Sequence, residues 1–425
     1  MTKLPPSPIY RLKCKTQSYD WGKLGDVSKV AKFAEKSGTI VDPSLPYAEL
    51  WMGTHPNAPS IVMNEDEDTL RDIIRDHPEL STEDIYEKYE SDLPFLFKIL
   101  SIRKALSIQA HPDKTLGARL FRDFPDNYKD PNHKPEMAIA LTPFEALCAF
   151  RPLNEIGYHL ETYPEFAAIV GPEATDSFLS IMDSDDVEIN KSALKNVFSA
   201  LMNSPQDRVK ELLTDMIDRL KDMEDRNELA NLILRLDQQY PGGDVGVFAV
   251  LLLNYIKMEP GQAIFLGANE PHAYLSGDCV ECMAASDNVV RSGLTPKFKH
   301  VDVLVDMLTY RYGSAESQKM TPVQFSDYSL LYDPPIEEFS VILSSQNPGD
   351  VEHEKAIQGP SILIVTQGGG ILGEEKEGIP EAETTYSLEE GYVYFIGANT
   401  PISAIAGDNG LEFYRAFTVL PKLEE

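Results

Sequence analysis

A glutamine and a histidine stand two residues apart in an apolar stretch, within the segment SIQAHPDK at residues 107–114. If residues 107–111 form a strand, the side chains of Ser107, Gln109 and His111 share one face of it. Such a polar face either contacts water or lines a pocket. Because imidazole and side-chain oxygen atoms are common metal ligands, a pocket here would be a place for metal chemistry.

An internal repeat contains a second histidine in a comparable setting. The segments GQAIFLGANEPHAYLSG (261–277) and GYVYFIGANTPISAIAG (391–407) align without gaps over 17 positions, of which seven are identical. Their shared order of glycine turn, strand, Gly-Ala-Asn turn and second strand predicts a hairpin unit of a jelly roll in each copy. The first copy has His272 where the second has Ile402. We therefore expect two barrels, of which only the first keeps a polar group at this turn.

Four residues together form a candidate metal site: Gln109, His111, Glu136 and His272. Two imidazoles, a carboxylate and an amide oxygen suit Zn²⁺ with one position left open for water or substrate. The Q-x-H spacing is less specific than long zinc motifs, and each histidine could instead be an ordinary hydrogen-bonded residue. The residues alone therefore leave metal binding as one of two interpretations.

The distribution of charge favours an anion near these candidate ligands. The chain has a formal net charge of -30, yet residues 98–119 hold five lysines or arginines against the single acid Asp113. Residues 291–300 hold three cations and no acid. A protein this acidic that gathers cations beside a possible metal site is expected to recognise a small anion such as a phosphate. A patch of salt bridges between domains is the alternative.

Composition excludes several other classes of protein. The strong negative charge argues against nucleic acid or an anionic membrane as the partner. The longest apolar run, VFAVLLL at 247–253, is too short to span a bilayer, and no signal-peptide pattern is present at residues 1–14. The four cysteines include one lone C-x-x-C, at 279 and 282, which predicts structural thiols. We expect a cytoplasmic monomer whose partner is a small molecule.

The elements that must position the candidate site change character along the chain. Short β segments broken by proline and glycine fill residues 1–151, and an acidic helical region follows at 152–240. There, SPQDRVKELLTDMIDRLKDM places six apolar residues on one helical stripe: Val209, Leu212, Leu213, Met216, Ile217 and Leu220. Strands are predicted again after residue 243, beginning with VGVFAVLLLNYI.

This pattern predicts a mainly β protein with an α insert. Its parts would be two cupin-like jelly-roll barrels, one catalytic and one degenerate, and an inserted helical domain. We assign residues 1–151 and 241–310 to the catalytic barrel. Residues 152–240 form the helical domain and residues 311–425 the degenerate C-terminal barrel.

Long segments of the chain resemble class I phosphomannose isomerases. They are YDWG (19–22), AELWMGTHPNAPS (48–60), KILSIRKALSIQAHPDK (98–114), NHKPEMAIAL (132–141) and FLGANEPHAYLSGDCVECMAASDNVVRSGLTPK (265–297). The resemblance covers almost the whole chain. It implies a zinc enzyme that interconverts mannose 6-phosphate and fructose 6-phosphate through a cis-enediol and so feeds GDP-mannose synthesis for protein glycosylation.

The resemblance also implies a role for each residue that matches the motifs. The four candidate ligands named above match the zinc ligands of the family. Ser107 would contact the phosphate, with Lys98 and Lys297 adding positive charge. Arg291 matches an arginine that faces the metal and has a catalytic role, and Trp21 matches an aromatic residue of the pocket wall.

The sequence does not identify the residue that transfers the proton. Lys134, Glu281 and Asp287 match polar groups near the sugar, and His133 is beside them as a further candidate. Burial can raise the pKa of Glu281 toward that of a useful base, and neighbouring cations can lower that of Lys134. The sequence does not rank these candidates.

Three other functions remain as alternatives. A jelly-roll Fe(II) oxygenase is disfavoured because the chain has no H-x-H…H triad. A sugar-phosphate-binding barrel with structural zinc would require a closed metal site, whereas the four ligands leave a position open. Isomerisation of a different aldose phosphate is the third, since selection between C2 epimers depends on the shape of the pocket.

Overall fold

The computed structural model describes residues 8–64, 66–376 and 379–420. Its strands β1 to β12 are Ile9–Lys13, Lys15–Gln17, Lys23–Leu24, Pro46–Tyr47, Glu49–Met52, Ile61–Val62, Phe95–Ile102, Ile108–Ala110, Glu136–Ala140, Phe144–Phe150, Leu253–Met258 and Ala263–Leu266. Strands β13 to β23 are His272–Ala284, Val290–Gly293, Lys319–Met320, Val323–Gln324, Ser329–Tyr332, Ser340–Gln346, Val351–Glu354, Ser361–Lys376, Ile379–Glu389, Val393–Ile396 and Ile402–Phe417.

Most of the helices lie between β10 and β11. Helices α1 to α12 are Lys29–Lys36, Leu70–Asp76, Glu83–Tyr89, Lys114–Asp123, Leu153–Thr162, Pro164–Val170, Pro172–Ile181, Val187–Met202, Gln206–Lys221, Glu228–Gln239, Gly246–Ala249 and Val301–Met307. None of these helices is long and apolar enough to cross a membrane. The six helices α5 to α10 form the insertion, and in α9 the six residues of the predicted stripe are all buried, which confirms that prediction.

Apart from a two-stranded ribbon, the described strands form two large antiparallel systems. The first runs in the order β15-β12-β9-β13-β7-β5-β2, with β8, β10, β11 and β14 attached to it. The second runs β16-β17-β18-β23-β20-β22-β1-β6, with β19 and β21 attached. Together with the inserted helices, this arrangement confirms the predicted fold class of two jelly-roll barrels and a helical insert.

Strand β13 connects the two walls of the first barrel. Its first half pairs with β8 and β10, and its second half pairs with β7 and β9. The change occurs at Gly277, whose φ is 109° and where a Cβ would lie 2.6 Å from the Pro143 carbonyl oxygen. Only glycine meets both conditions, because other residues rarely adopt this φ and have no room for their side chain. One strand thereby places side chains on both walls of the barrel.

Two local predictions are wrong. The segment predicted as one strand from residue 245 contains a short helix, Gly246–Ala249, before β11 begins at Leu253. The repeat was predicted as a hairpin in each copy, but β12 and β13 do not pair, since β9 lies between them. In the second copy, β20 lies between β22 and β23 in the same way.

The second barrel has an apolar interior at the position that corresponds to His272. Ile402 is fully buried there and packs in one cluster with Leu363, Val365 and Phe413. At this turn, therefore, the repeat distinguished a polar position of the first barrel from an apolar position of the second.

Three strands depart from the predicted domain limits. β1 pairs with β22 in the second sheet and β6 pairs with β1, so these two strands of the segment 1–151 do not belong to the first barrel. β15 pairs with β12 of the first sheet, although it lies within the segment 311–425. The remaining limits stay a prediction.

The cysteines behave as structural thiols. Cys14, Cys148, Cys279 and Cys282 are all buried and free. Burial raises the pKa of Cys14 and of Cys148 to about 12, so both thiols are protonated at neutral pH.

Candidate functional site

Three neighbouring strands place a cation, an amide and an imidazole in one row. In the ladders that join β14, β8 and β13, Arg291 lies opposite Gln109, and Gln109 lies opposite His272. Residues directly opposite each other on antiparallel strands project to the same side of the sheet. The strand predicted at 107–111 is shorter than expected, Ile108–Ala110, and His111 follows it directly.

Three predicted ligands converge beside this row. The Nε2 atoms of His111 and His272 each lie 3.3 Å from a different carboxylate oxygen of Glu136. The candidate ligand atoms of the three residues lie within 4.8 Å of one another. Each of these side chains is at most 3% exposed.

The hydrogen bonds of the two imidazoles fix which nitrogen faces Glu136. The Nδ1–H of His111 donates to the Asn288 carbonyl at 2.7 Å, and that of His272 donates to the Glu270 carbonyl at 3.0 Å. Each Nε2 therefore faces Glu136 and has no hydrogen-bond partner among the described residues, and in a neutral imidazole held this way Nε2 carries the lone pair. Two imidazole nitrogens directed at a buried carboxylate form a set of donor atoms that suits a bound cation.

The ionisation states also suit a metal. Burial lowers the pKa of His111 to about 4, so this imidazole is neutral at physiological pH. Although burial alone would raise it, Lys134 and His111 hold the pKa of Glu136 well below its usual range. Neutral imidazoles and an ionised carboxylate are the forms that coordinate Zn²⁺. Gln109, opposite His272 and on the wall of the same cavity as Glu136, is placed to supply the fourth ligand.

A cavity of about 300 Å³ opens beside these ligands. Nine of the predicted site residues line it: Trp21, Lys98, Gln109, Lys134, Glu136, Glu281, Asp287, Arg291 and Lys297. Its wall also holds Tyr19, whose ring stacks on that of Trp21 with the centroids 5.7 Å apart. This volume falls at the lower end of the range of ligand pockets, so it suits a small polar molecule.

The structure gives Lys98 a different environment from the one expected. Its Nζ lies 3.4 Å from Glu49 and 3.1 Å from Glu281, and its side chain is 8% exposed. These two carboxylates raise its pKa although burial opposes them. The charge of Lys98 is therefore compensated within the protein, which does not favour its predicted contact with phosphate.

Glu49 is a residue of the cavity wall that the sequence analysis missed. Besides Lys98, it accepts a hydrogen bond from the indole nitrogen of Trp51 at 2.5 Å. The signal was a glutamate at the start of the otherwise apolar strand Glu49–Met52, all of which is buried. A buried carboxylate usually has a partner with the opposite charge, so this pattern could have indicated one.

Two ionisable residues of the cavity wall, Glu281 and Lys134, differ from Glu136 in charge or in environment. Burial, which Lys98 offsets only in part, raises the pKa of Glu281. Lys134 is 12% exposed, and its Nζ lies 3.1 Å from Glu136. A carboxyl group whose pKa is raised and an amine near the metal ligands are both suited to move protons.

Arg291 and Lys297 are the cations that remain available to an anion. Both line the cavity, and neither has an ion pair with a described carboxylate, in contrast to Lys98 and Lys134. A phosphate group entering this cavity would meet these two cations without having to displace a carboxylate.

Four predicted site residues are not on the cavity wall: the two ligands His111 and His272, and also Ser107 and His133. Ser107 is half-buried and precedes β8. His133 is directed at the second barrel, where its Nε2 lies 2.6 Å from the carboxylate of Glu338. The resemblance placed His133 beside the sugar because it is next to Lys134, but the two side chains have different partners, Glu338 for His133 and Glu136 for Lys134.

Fold and site together define a metal-binding enzyme of the jelly-roll class. The profile described as "Phosphomannose isomerase type I, catalytic domain" matches residues 9–153. The profiles of the helical insertion domain and of the C-terminal part of the same family match residues 169–253 and 329–372. The chain belongs to the type I phosphomannose isomerase family.

Similar proteins and structures cover nearly the whole chain. The mannose-6-phosphate isomerase of Schizosaccharomyces pombe is 45% identical in an alignment 425 positions long that covers 96% of this chain and 99% of the relative. That of Saccharomyces cerevisiae is 46% identical in an alignment 431 positions long that covers 96% of this chain and 98% of the relative. A crystal structure of mannose 6-phosphate isomerase with zinc bound is 32% identical, covers 97% of this chain and all of its own, and superposes with a TM-score of 0.82.

Proposed function

We propose that this chain is a zinc-dependent isomerase that interconverts mannose 6-phosphate and fructose 6-phosphate through a cis-enediol. The observation that carries the proposal is the buried cluster of His111, Glu136 and His272 at the wall of a cavity that also holds two uncompensated cations. Zinc held by these residues and Gln109 would act as a Lewis acid toward the oxygens of C1 and C2.

The residues of the cavity would perform the remaining tasks of an aldose–ketose isomerase. Lys297 would hold the phosphate, so that C1 and C2 are presented in one orientation. Correct orientation of the reacting groups can raise the rate of a reaction by many orders of magnitude. Arg291 lies opposite Gln109 and would stabilise the negative charge that develops on the enediol oxygens.

Proton transfer between C1 and C2 would use Glu281 or Lys134. The raised pKa of Glu281 brings it closer to the operating pH, which favours its exchanging a proton in both directions. Lys134, next to Glu136, is placed to move a proton during ring opening. His133 is a weaker candidate, because its Nε2 is engaged by Glu338.

Removal of the metal should abolish the activity reversibly. We expect activity in a coupled assay of mannose 6-phosphate to disappear after chelation and to return when zinc is added. The same assay with glucose 6-phosphate tests the alternative of another aldose phosphate. Full activity in protein shown by elemental analysis to be free of metal would contradict the mechanism, and zinc-loaded protein without isomerase activity would support a binding function instead.

Replacing Lys297 with alanine should weaken substrate binding. We expect the KM for mannose 6-phosphate to rise by about 10- to 100-fold, because a charge-assisted contact with the phosphate is lost. Lys299→Ala is the matched control, since Lys299 is two residues away and does not line the cavity. An unchanged KM in Lys297→Ala would place the phosphate elsewhere.

The cellular role follows from the proposed reaction. We propose that the enzyme supplies mannose 6-phosphate for GDP-mannose synthesis and so for protein glycosylation, and that it acts in the cytoplasm. We also propose that the enzyme is active as a monomer. Size-exclusion chromatography combined with the activity assay tests this last expectation.

A further inference from the structure

Glu338 connects the second barrel to the segments that carry the metal ligands. It lies between β17 and β18 and is 4% exposed. One of its carboxylate oxygens, Oε1, lies 2.6 Å from His133 Nε2 and 3.1 Å from Lys114 Nζ. One buried carboxylate therefore joins two cationic or proton-donating groups of the first barrel.

Both partners stand close in sequence to ligands. Lys114 is the first residue of α4, three positions after His111, and His133 is three positions before Glu136. His133 also precedes Lys134, whose Nζ contacts Glu136. Glu338 consequently restrains the two segments that enter and leave the metal cluster.

Asn288 also restrains the segment that precedes Glu136. The Asn288 side-chain amide donates to the carbonyls of Asp130 and Asn132, both at 2.7 Å, and the Asn288 carbonyl accepts from His111. The segment between residues 130 and 134 is thus fixed at one end by Asn288 and at the other by Glu338. Loss of the second restraint would leave the backbone at Lys134 free to shift.

We infer that Glu338 is a positioning residue of the isomerase reaction, which acts through His133 to hold Lys134 against Glu136. This inference rests on the proposed function. It assigns the second barrel a part in catalysis, although the site itself lies in the first. A displacement of about 1 Å at Lys134 is enough to slow a reaction by roughly 100-fold.

The neighbouring glutamate provides a matched control. Glu337 contacts Lys88 at 2.7 Å and Lys114 at 3.5 Å, but not His133, and its side chain is 35% exposed. Glu337→Gln therefore makes the same chemical change one residue away and leaves the contact with His133 intact.

The test compares wild type, Glu338→Gln and Glu337→Gln in zinc-loaded form. For Glu338→Gln we expect kcat to fall at least 10-fold with KM changed less than threefold, and zinc to be retained at the wild-type amount. Glu337→Gln should keep kcat within twofold. If Glu338→Gln keeps kcat within twofold, or loses its zinc, the inference is overturned.

A double-mutant cycle with His133→Gln separates positioning from general loosening of the fold. If Glu338 acts through His133, the double variant should lose no more kcat than the more impaired single variant. If the loss of kcat in the double variant equals the product of the two single losses, the inference is overturned. This holds even if one of the single variants is thermally less stable. If the wild-type enzyme is inactive, the proposed function itself is refuted. The comparisons among the variants test only the role of Glu338.

Discussion

Replacing His272 with alanine is expected to remove the bound zinc and to lower kcat by about 10³-fold, while the fold persists. The metal contributes several kcal/mol to the stabilisation of developing charge, and each 1.4 kcal/mol corresponds to a factor of ten. The imidazole is 1% exposed and its Nδ1 donates to the Glu270 carbonyl, so the variant also loses some stability. Zinc content by elemental analysis, kcat by the coupled assay and thermal unfolding measure the three effects.

The chain offers a matched control for this substitution. His159 is 6% exposed, and its Nδ1 donates to the Leu251 carbonyl at 2.8 Å, but it lies in the helical insertion. His159→Ala should lower thermal stability to a similar degree and keep both zinc and activity. A metal-free His272→Ala protein with full activity would exclude this residue from the mechanism.

Replacing Arg291 with alanine is expected to lower kcat by about 10²–10³-fold with the zinc still bound. A group that stabilises the charge of an intermediate typically contributes this much. Arg291 is suited to the task because it lines the cavity opposite Gln109 and has no described carboxylate to compensate its charge.

Arg291→Lys separates two roles of this arginine. It keeps a cation but loses the planar fork of donors, so we expect it to recover part of the lost kcat. If Arg291→Ala raises KM alone and leaves kcat unchanged, Arg291 belongs to the phosphate site and does not stabilise the intermediate.

Local periodicity and the internal repeat correctly predicted the structural features that depend on residues close together in the sequence. The buried stripe of α9 follows from the helical period, and the contrast between His272 and Ile402 follows from aligning two copies of one unit. Both patterns are short-range, so they are visible in the sequence alone.

What the sequence could not show depends on distant segments. β9 enters between β12 and β13 from more than a hundred residues away, and so a hairpin was wrongly expected. The compensation of Lys98 by Glu49 and the contact of His133 with Glu338 likewise join residues that are far apart. The sequence analysis named Lys98 and His133, but only the tertiary structure shows the partner of each side chain.

The pairing of β1 with β22 has a consequence for synthesis of the chain. Ile9 lies opposite Ile396, so the edge of β1 that pairs with β22 waits for almost four hundred further residues before that partner is synthesised, whereas β6, its partner on the other edge, follows within about fifty residues. At the usual rate of translation the longer interval is roughly 20–80 s. During that time one edge of β1 is unpaired and can associate with other chains. A nascent chain that stops before residue 393 therefore leaves this edge of β1 exposed.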